Sequence, residues 1–61
     1  MKPTKEQFED YVGIRDSGVT NMFDVRTVCD LSSTGLTREI CLYIMSGDNF
    51  VKLSEEYEVE I

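Results

Sequence analysis

Chemistry in this 61-residue chain would have to come from two cysteines and a surplus of carboxylates, because the sequence contains no histidine. Histidine is the usual general base near neutral pH and the commonest metal ligand. Cys29 and Cys41 lie in apolar segments and form no Cys-x-x-Cys motif. A free cysteine in such a segment usually packs as a small apolar side chain. We therefore expect two reduced core thiols, rather than a disulfide or a metal site, and a cytoplasmic location.

The serines and glycines form no catalytic motif. The sequence has neither a G-x-S-x-G nucleophile motif nor a glycine-rich phosphate loop. A chain of this length also has little volume for an enclosed ligand cavity. We therefore expect no enzymatic activity, no catalytic residues and no cofactor.

The charge balance is acidic, with twelve Asp and Glu residues against six Lys and Arg residues. Proteins that bind a nucleic-acid duplex need a cationic stripe to displace counterions, so this balance argues against nucleic acid as a direct partner. Four glutamates lie close together near the C-terminus: Glu55, Glu56, Glu58 and Glu60. They form either a solvated helix face or an acidic mimic of nucleic acid that inhibits a DNA-binding enzyme.

A second cluster of polar residues lies in the segment IRDSGVTNMFDV, residues 14–25. Arg15 follows Phe8 by seven positions, which places it in the middle of an apolar helical face. Its alkyl stem can pack on that face while the guanidinium reaches solvent or the last carbonyls of the helix. The alternatives are a semi-buried ion pair with Asp24 or Asp30 and an arginine that faces a ligand. We favour a structural role, in which Arg15 and Asp24 hold the two flanking helices together.

The element before this segment is predicted to be a helix. Thr4 and Gln7 fit a capping box, in which each side chain accepts a hydrogen bond from the other residue's backbone N–H. Apolar residues then recur at helical spacing from Phe8 onward, and Gly18 suits a left-handed cap. The pattern predicts a first helix over residues 5–16.

A second helix is expected to begin after an N-cap at Asn21 or at Asp24. It ends at the SSTG stretch, residues 32–35, whose hydroxyl side chains compete for backbone hydrogen bonds. Three apolar residues at the junction should anchor it in the core: Met22, Phe23 and Val25. The expected structural signature consists of Arg15, Asp16, Gly18, Asn21, Phe23 and Asp24.

Thr37 is expected to cap a third element over residues 38–45. The segment Ile40–Met45 is apolar on every side, so its periodicity fits a buried helix as well as a strand. In the part that follows, Asp48 suits the N-cap of a fourth helix with an apolar face. The alternative there is a terminal strand, which the alternation of Tyr57, Val59 and Ile61 would suit.

The predicted fold is therefore an all-α domain of three to four helices that spans residues 1–61. The alternative is an α+β fold in which two helices are followed by a small antiparallel sheet.

Residues 25–44 also have the outline of a helix–turn–helix motif, with Gly35 in the turn. The recognition helix would begin with Thr37, Arg38 and Glu39, but its remaining residues are apolar and offer few groups to bases or phosphates. A degenerate helix–turn–helix regulator is therefore a further alternative function.

The segment IRDSGVTNMFDV belongs to a longer pattern that continues with Val28, Gly35, Glu39, Tyr43 and Ile44. This pattern resembles a family of short proteins from Gram-positive gut bacteria and their phages, domain of unknown function 5049. The likeness is specific over residues 14–28 and looser as far as residue 44. It implies a phage or mobile-element origin and supports a helix at residues 36–45. It implies no activity, because the family has none assigned.

We expect the chain to act through protein–protein contact, as an interaction or regulatory module. A monomer of this size has difficulty covering an apolar helix on every side, which favours a homodimer. The expected interaction surface consists of Ile40, Tyr43, Ile44, Glu55, Glu56, Glu58 and Glu60. The opening MKPTKEQFEDY does not read as a signal peptide and no apolar run is long enough to span a bilayer, so we expect no membrane partner.

Overall fold

Four α-helices follow one another in the computed structural model: α1 (Lys5–Ser17), α2 (Val25–Leu31), α3 (Arg38–Met45) and α4 (Asn49–Tyr57). The structure describes residues 2–18, 21 and 23–60, and this part of the chain contains no strand. The all-α prediction is therefore confirmed. The alternative with a small antiparallel sheet is wrong, because residues 49–57 wind into a helix whose apolar face packs on the core.

The predicted capping box begins α1. The Thr4 hydroxyl oxygen accepts a hydrogen bond of 3.2 Å from the Gln7 backbone N–H, and the Gln7 side chain accepts one of 2.9 Å from the Thr4 N–H. Gly18 ends the helix with a positive φ of 66°, and its N–H donates to the Arg15 carbonyl. A residue with a side chain would be strained there, which explains the glycine. The helix extends one residue beyond the predicted 5–16, to Ser17.

Threonine and aspartate side chains cap the next two helices. Asp24, rather than Asn21, is the N-cap of α2, and its carboxylate accepts from both the N–H and the hydroxyl of Thr27. Thr37 caps α3 as predicted, through a bond of 3.3 Å from the Ile40 N–H. Asp48 occupies the expected N-cap position of α4, but its side chain makes no capping bond and pairs with Lys52 at 3.3 Å.

The core forms where one face of each helix meets the others. Phe8 of α1 is fully buried, and its ring centroid lies 5.5 Å from that of Phe50 and 6.1 Å from that of Tyr57, both on α4. Tilted aromatic pairs at such distances contribute beyond the area they bury. The other fully buried apolar side chains of the helices are Val28, Cys41 and Ile44.

The residues before α1 are attached to the last helix. The Tyr57 hydroxyl donates a hydrogen bond of 2.6 Å to the carbonyl of Pro3, which is itself fully buried. Lys2 and Glu56 form an ion pair at 2.6 Å beside it. Both contacts join positions that are 54 residues apart, so the two ends of the described chain lie together.

The connection from α2 to α3 is held against α1 by one carboxylate. Asp10 accepts hydrogen bonds from the hydroxyls of Ser32 and Thr34, each at 2.7 Å, and from the backbone N–H groups of Ser33 and Thr34. Burial raises the pKa of Asp10, but these hydrogen bonds favour the charged form more strongly and hold the pKa below its usual 3.8. The SSTG stretch therefore ends α2 and also binds its neighbouring helix.

None of the helices in the described residues has the length and apolar character needed to cross a membrane. The longest, α1, has 13 residues, whereas a bilayer-spanning helix needs about 20.

Candidate functional site

An open groove of about 620 Å³ lies between α2 and α3. Its apolar lining comes from the residue before the α2 N-cap, from α2 itself, from the connection and from α3: Phe23, Val25, Cys29, Leu36 and Leu42. A groove of this volume is within the range of pockets that bind ligands of moderate size. This groove is not among the sites predicted from the sequence.

The turn between α1 and α2 points Phe23 outward, to the rim of this groove. The Asn21 side-chain oxygen accepts a hydrogen bond of 2.9 Å from the Phe23 N–H, and the Asn21 carbonyl accepts one of 2.9 Å from the Asp24 N–H. This geometry leaves Phe23 83% exposed, so its predicted place in the core is wrong. Met22, predicted to lie beside it in the core, is outside the described residues.

Leu42 forms the opposite side of the groove and is 45% exposed. It lies on the face of α3 opposite to Ile40 and Ile44, which are buried inside the domain. The apolar run of α3 therefore has one face in the core and one leucine on the surface. Phe23 and Leu42 are two of the four large apolar side chains that are exposed among the described residues.

Charged side chains also line the groove. Arg26 on α2 and Arg38 at the start of α3 both line the groove, and Asp30 is the one carboxylate that does so. Within residues 2–18, 21 and 23–60, neither arginine forms an ion pair. The groove therefore presents two available cations on a chain whose formal net charge is −6.

The two cysteines meet at the wall of the groove. Both are free thiols, with Cys29 partly exposed on the groove side and Cys41 fully buried behind it. Their Sγ atoms lie 4.0 Å apart. Burial, together with the charge and hydrogen bond of Cys29, raises the pKa of Cys41 to about 12. Among the described residues, no group of three or more His, Cys, Asp or Glu side chains is arranged to hold a metal ion.

Arg15 does not hold the two helices together in the predicted way. Its guanidinium lies 5.0 Å from the centroid of the Phe50 ring and 3.5 Å from the carboxylate of its neighbour Asp16. The predicted ion pair with Asp24 or Asp30 is not formed, because Asp24 is occupied by the first turn of α2. Of the remaining signature residues, Gly18 ends α1 and Asn21 forms the turn. The segment therefore has a structural role, although the contacts differ from those predicted.

The predicted interaction surface is not continuous. Ile40 and Ile44 are buried against the other helices, so this part of the prediction is wrong. Tyr43 is partly buried and lines a smaller cavity of about 200 Å³ beside Leu53. The four glutamates are exposed: Glu55, Glu56, Glu58 and Glu60. They lie on α4 and after it, whereas the groove lies between α2 and α3.

Two signals in the sequence point to the groove. Phe23 immediately precedes the N-cap of the short helix α2. A side chain at that position lies outside the helix, so few residues of the helix can cover it. Leu42 follows Ile40 by two positions, and residues two apart on a helix do not share a face. When every residue of a helical segment is apolar, only those on the face toward the core can be buried there, so at least one of the others is expected to be exposed.

Comparison of the chain with protein-family models, with curated proteins and with solved structures finds no match. The likeness to domain of unknown function 5049 therefore stays a prediction, which rests on the pattern in residues 14–28 and its weaker continuation.

Proposed function

We propose that this chain is a protein-interaction module whose α2–α3 groove binds a short amphipathic helical segment of another protein, with apolar side chains on one face and carboxylates beside them. The observation that supports this most directly is the combination of an apolar groove with two arginines, Arg26 and Arg38, that form no ion pair within the described residues of an otherwise acidic chain.

The apolar part of the proposal rests on Phe23 and Leu42. Exposed aromatic and aliphatic side chains at the edge of a concave surface are the usual anchors of a protein interface. The Asn21 side chain accepts a hydrogen bond from the Phe23 N–H, so this turn holds the backbone from which the exposed Phe23 side chain projects. Covering both residues with a partner would remove apolar surface from water, which favours binding.

The charged part of the proposal rests on the arginines. Of the other four cations, Lys2, Arg15 and Lys52 are each close to a carboxylate of the chain itself, and Lys5 forms no ion pair among the described residues but lies on α1, away from the groove. Arg26 and Arg38 have no such partner in the described residues and would pair with carboxylates of a ligand. Complementary charges at an interface chiefly set partner choice and association rate.

The length of α2, which contributes to one wall of the groove, favours a helical ligand of about two turns. At a rise of about 1.5 Å per residue, the seven residues of α2 span about 10 Å. A helix that lies in a groove between two helices buries one apolar stripe and leaves its flanks free for charged contacts. This arrangement matches a groove whose lining combines apolar side chains with two arginines.

Selection from a library of random peptides about 12 residues long tests the proposal without a known partner. We expect the purified full chain to select peptides that combine aliphatic or aromatic residues at helical spacing with Asp or Glu. Two matched variants locate the site: Leu42→Ser, which removes a groove leucine, and Leu31→Ser, which removes a leucine of similar exposure outside the groove.

We expect Leu42→Ser to weaken binding of a selected peptide at least about tenfold, about 1.4 kcal/mol, and Leu31→Ser to leave it unchanged. Arg26→Ala should weaken peptide binding and should also make the affinity less dependent on ionic strength. Lys5→Ala, which removes an equal charge from α1, is the control and should have smaller effects on both. Peptides without acidic residues, or equal effects of the two leucine variants, would contradict the proposal. A dimer that Leu42→Ser converts to a monomer would assign the groove to a second copy instead.

The other functions expected from the sequence stay predictions. An acidic mimic of nucleic acid would use the exposed glutamates of the C-terminal part, of which Glu56 is already paired with Lys2. A helix–turn–helix regulator would present Arg38, Glu39 and Leu42 from α3 to DNA. Of these three residues, Arg38 alone carries a positive charge that could contact a phosphate. The association with a phage or mobile element, the cytoplasmic location, the homodimer and the absence of enzymatic activity rest on the sequence alone.

A further inference from the structure

We infer that Cys29 and Cys41 form a reversible thiol–disulfide site, in which an oxidised low-molecular-weight thiol such as oxidised glutathione converts the pair into a disulfide that joins α2 to α3. This inference does not depend on peptide binding in the groove.

The positions of the two sulfur atoms favour this reaction. The Sγ atoms lie 4.0 Å apart, on neighbouring helices that pack directly against each other. A disulfide bond is about 2.0 Å long, so the sulfurs must approach by about 2 Å. Rotation of the cysteine side chains and a small relative shift of the short helices can provide this approach. Residues twelve positions apart in sequence are thus already juxtaposed in the folded chain.

Access to solvent sets the order of the reaction. Cys29 lines the open groove and is partly exposed, whereas Cys41 is fully buried behind it. A small disulfide that enters the groove therefore meets Cys29 first. The raised pKa of Cys41, about 12 because of its burial, also disfavours Cys41 as the first nucleophile.

The reaction proceeds by two exchanges. The Cys29 thiolate attacks one sulfur of the oxidised thiol, forms a mixed disulfide and releases one small thiolate. Cys41 then attacks the Cys29 sulfur, its proton passes to the second departing small thiolate, and the Cys29–Cys41 bond replaces the mixed disulfide. The two protein thiols are oxidised to one disulfide, and the small disulfide is reduced to two thiols. An excess of reduced thiol reverses both steps.

The site would make the stability of the domain depend on redox conditions. A domain of this size has a small core, and a covalent connection between two of its helices restricts the unfolded chain. By thermodynamic linkage, a disulfide that stabilises the fold is also formed more readily in the folded chain than in the unfolded one. The typical stabilisation by a disulfide corresponds to an equilibrium constant for disulfide formation that is on the order of 10- to 1,000-fold larger in the folded chain than in the unfolded chain.

Equilibration of the full chain with mixtures of oxidised and reduced glutathione, followed by acid quenching, alkylation and mass spectrometry, tests the inference. We expect a monomer that has lost two hydrogen atoms, resists alkylation at both cysteines and carries no glutathione. Under the same mixtures in denaturant, the ratio of this species to the dithiol form should fall by about tenfold or more. Equal or higher disulfide formation in denaturant would overturn the inference, as would thiols that stay open to alkylation.

Two variants test the order of the steps. In Cys41→Ala we expect a stable glutathione adduct on Cys29, because no second thiol displaces it. In Cys29→Ala the buried Cys41 should react at least about tenfold more slowly than Cys29 does in the other variant. A wild-type chain that accumulates the same stable adduct as Cys41→Ala would overturn the inference. The glutathione adduct is detected by its mass on the wild-type chain itself, so this outcome is readable even where a variant folds poorly.

Discussion

The hydroxyl of Thr34 donates a hydrogen bond of 2.7 Å to the carboxylate of Asp10, which lies 24 residues earlier in the chain. The same carboxylate accepts from the hydroxyl of Ser32 and from two backbone N–H groups of the connection. One side chain of α1 thereby fixes the loop between α2 and α3, and that loop sets the position of both helices that form the groove.

Replacement of Asp10 by Asn should therefore destabilise the whole domain. The amide keeps one acceptor oxygen but loses the charge, and hydrogen bonds to charged groups contribute about 1.5–3 kcal/mol. Because the carboxylate is partly exposed, we expect a loss of about 1–2 kcal/mol, measured by urea unfolding at neutral pH. Glu9→Gln, which removes the same charge from the exposed neighbouring position, is the control and should change stability by less than about 0.5 kcal/mol.

The contribution of Asp10 should disappear in acid. Its hydrogen bonds hold the pKa of the folded state below the usual 3.8, so the folded chain binds the proton less readily than the unfolded chain does. The stabilisation is complete above pH 3.8 and is lost as the pH falls through the lower folded-state pKa. We expect the difference in unfolding free energy between the wild type and Asp10→Asn to be constant near neutral pH and to shrink below about pH 4. A difference that grows in acid would show that the folded state favours the protonated carboxyl.

Gly13 inside α1 and Gly18 at its C-cap should respond in opposite directions to alanine. Gly13 lies inside the helix, and a Cβ there would meet no atom within 4 Å, so Gly13→Ala should raise stability by about 0.5–1 kcal/mol. Gly18 has a φ of 66°, so Gly18→Ala should lower stability by roughly 1–2 kcal/mol. Thermal unfolding of both variants checks this, since about 1 kcal/mol shifts the Tm of a small domain by about 4–8 °C. Changes of the same sign would mean that the two backbone conformations do not differ as described.

The helix boundaries could be predicted from the sequence because they depend on local hydrogen bonds. Thr4 with Gln7, Asp24 and Thr37 each satisfy backbone N–H groups within a few residues, and such contacts follow from spacing alone. The direction of individual side chains could not be predicted in the same way. Phe23 faces solvent because a turn at Asn21 rotates it outward, and that turn depends on where α2 begins.

Long-range contacts were the other part that the sequence did not determine. Ile40 and Ile44 are covered by the rest of the domain rather than by a partner, which depends on how four short helices pack. Asp10 and Tyr57 make contacts with residues 22 to 54 positions away, and no periodicity indicates such a pairing. The groove is a consequence of that packing, so the sequence could indicate that Phe23 and Leu42 are exposed but not that they line one groove.

A double-mutant cycle on Arg15 and Asp24 distinguishes the contacts of the structure from the predicted ion pair between these residues. Arg15→Ala removes a guanidinium that lies over the Phe50 ring and should cost about 0.5–1 kcal/mol, as exposed cation–π contacts do. Asp24→Ala removes the N-cap of α2 and should cost about 0.5–2 kcal/mol. Because the two side chains have separate partners, the double variant should lose the sum of both values within about 0.5 kcal/mol.

Arg15→Lys, which keeps the charge but not the planar group, is the control and should retain part of the stability. A coupling energy clearly above that limit, measured by urea unfolding of all four proteins, would restore the direct pairing of Arg15 with Asp24 and contradict the assignment of Arg15 to Phe50.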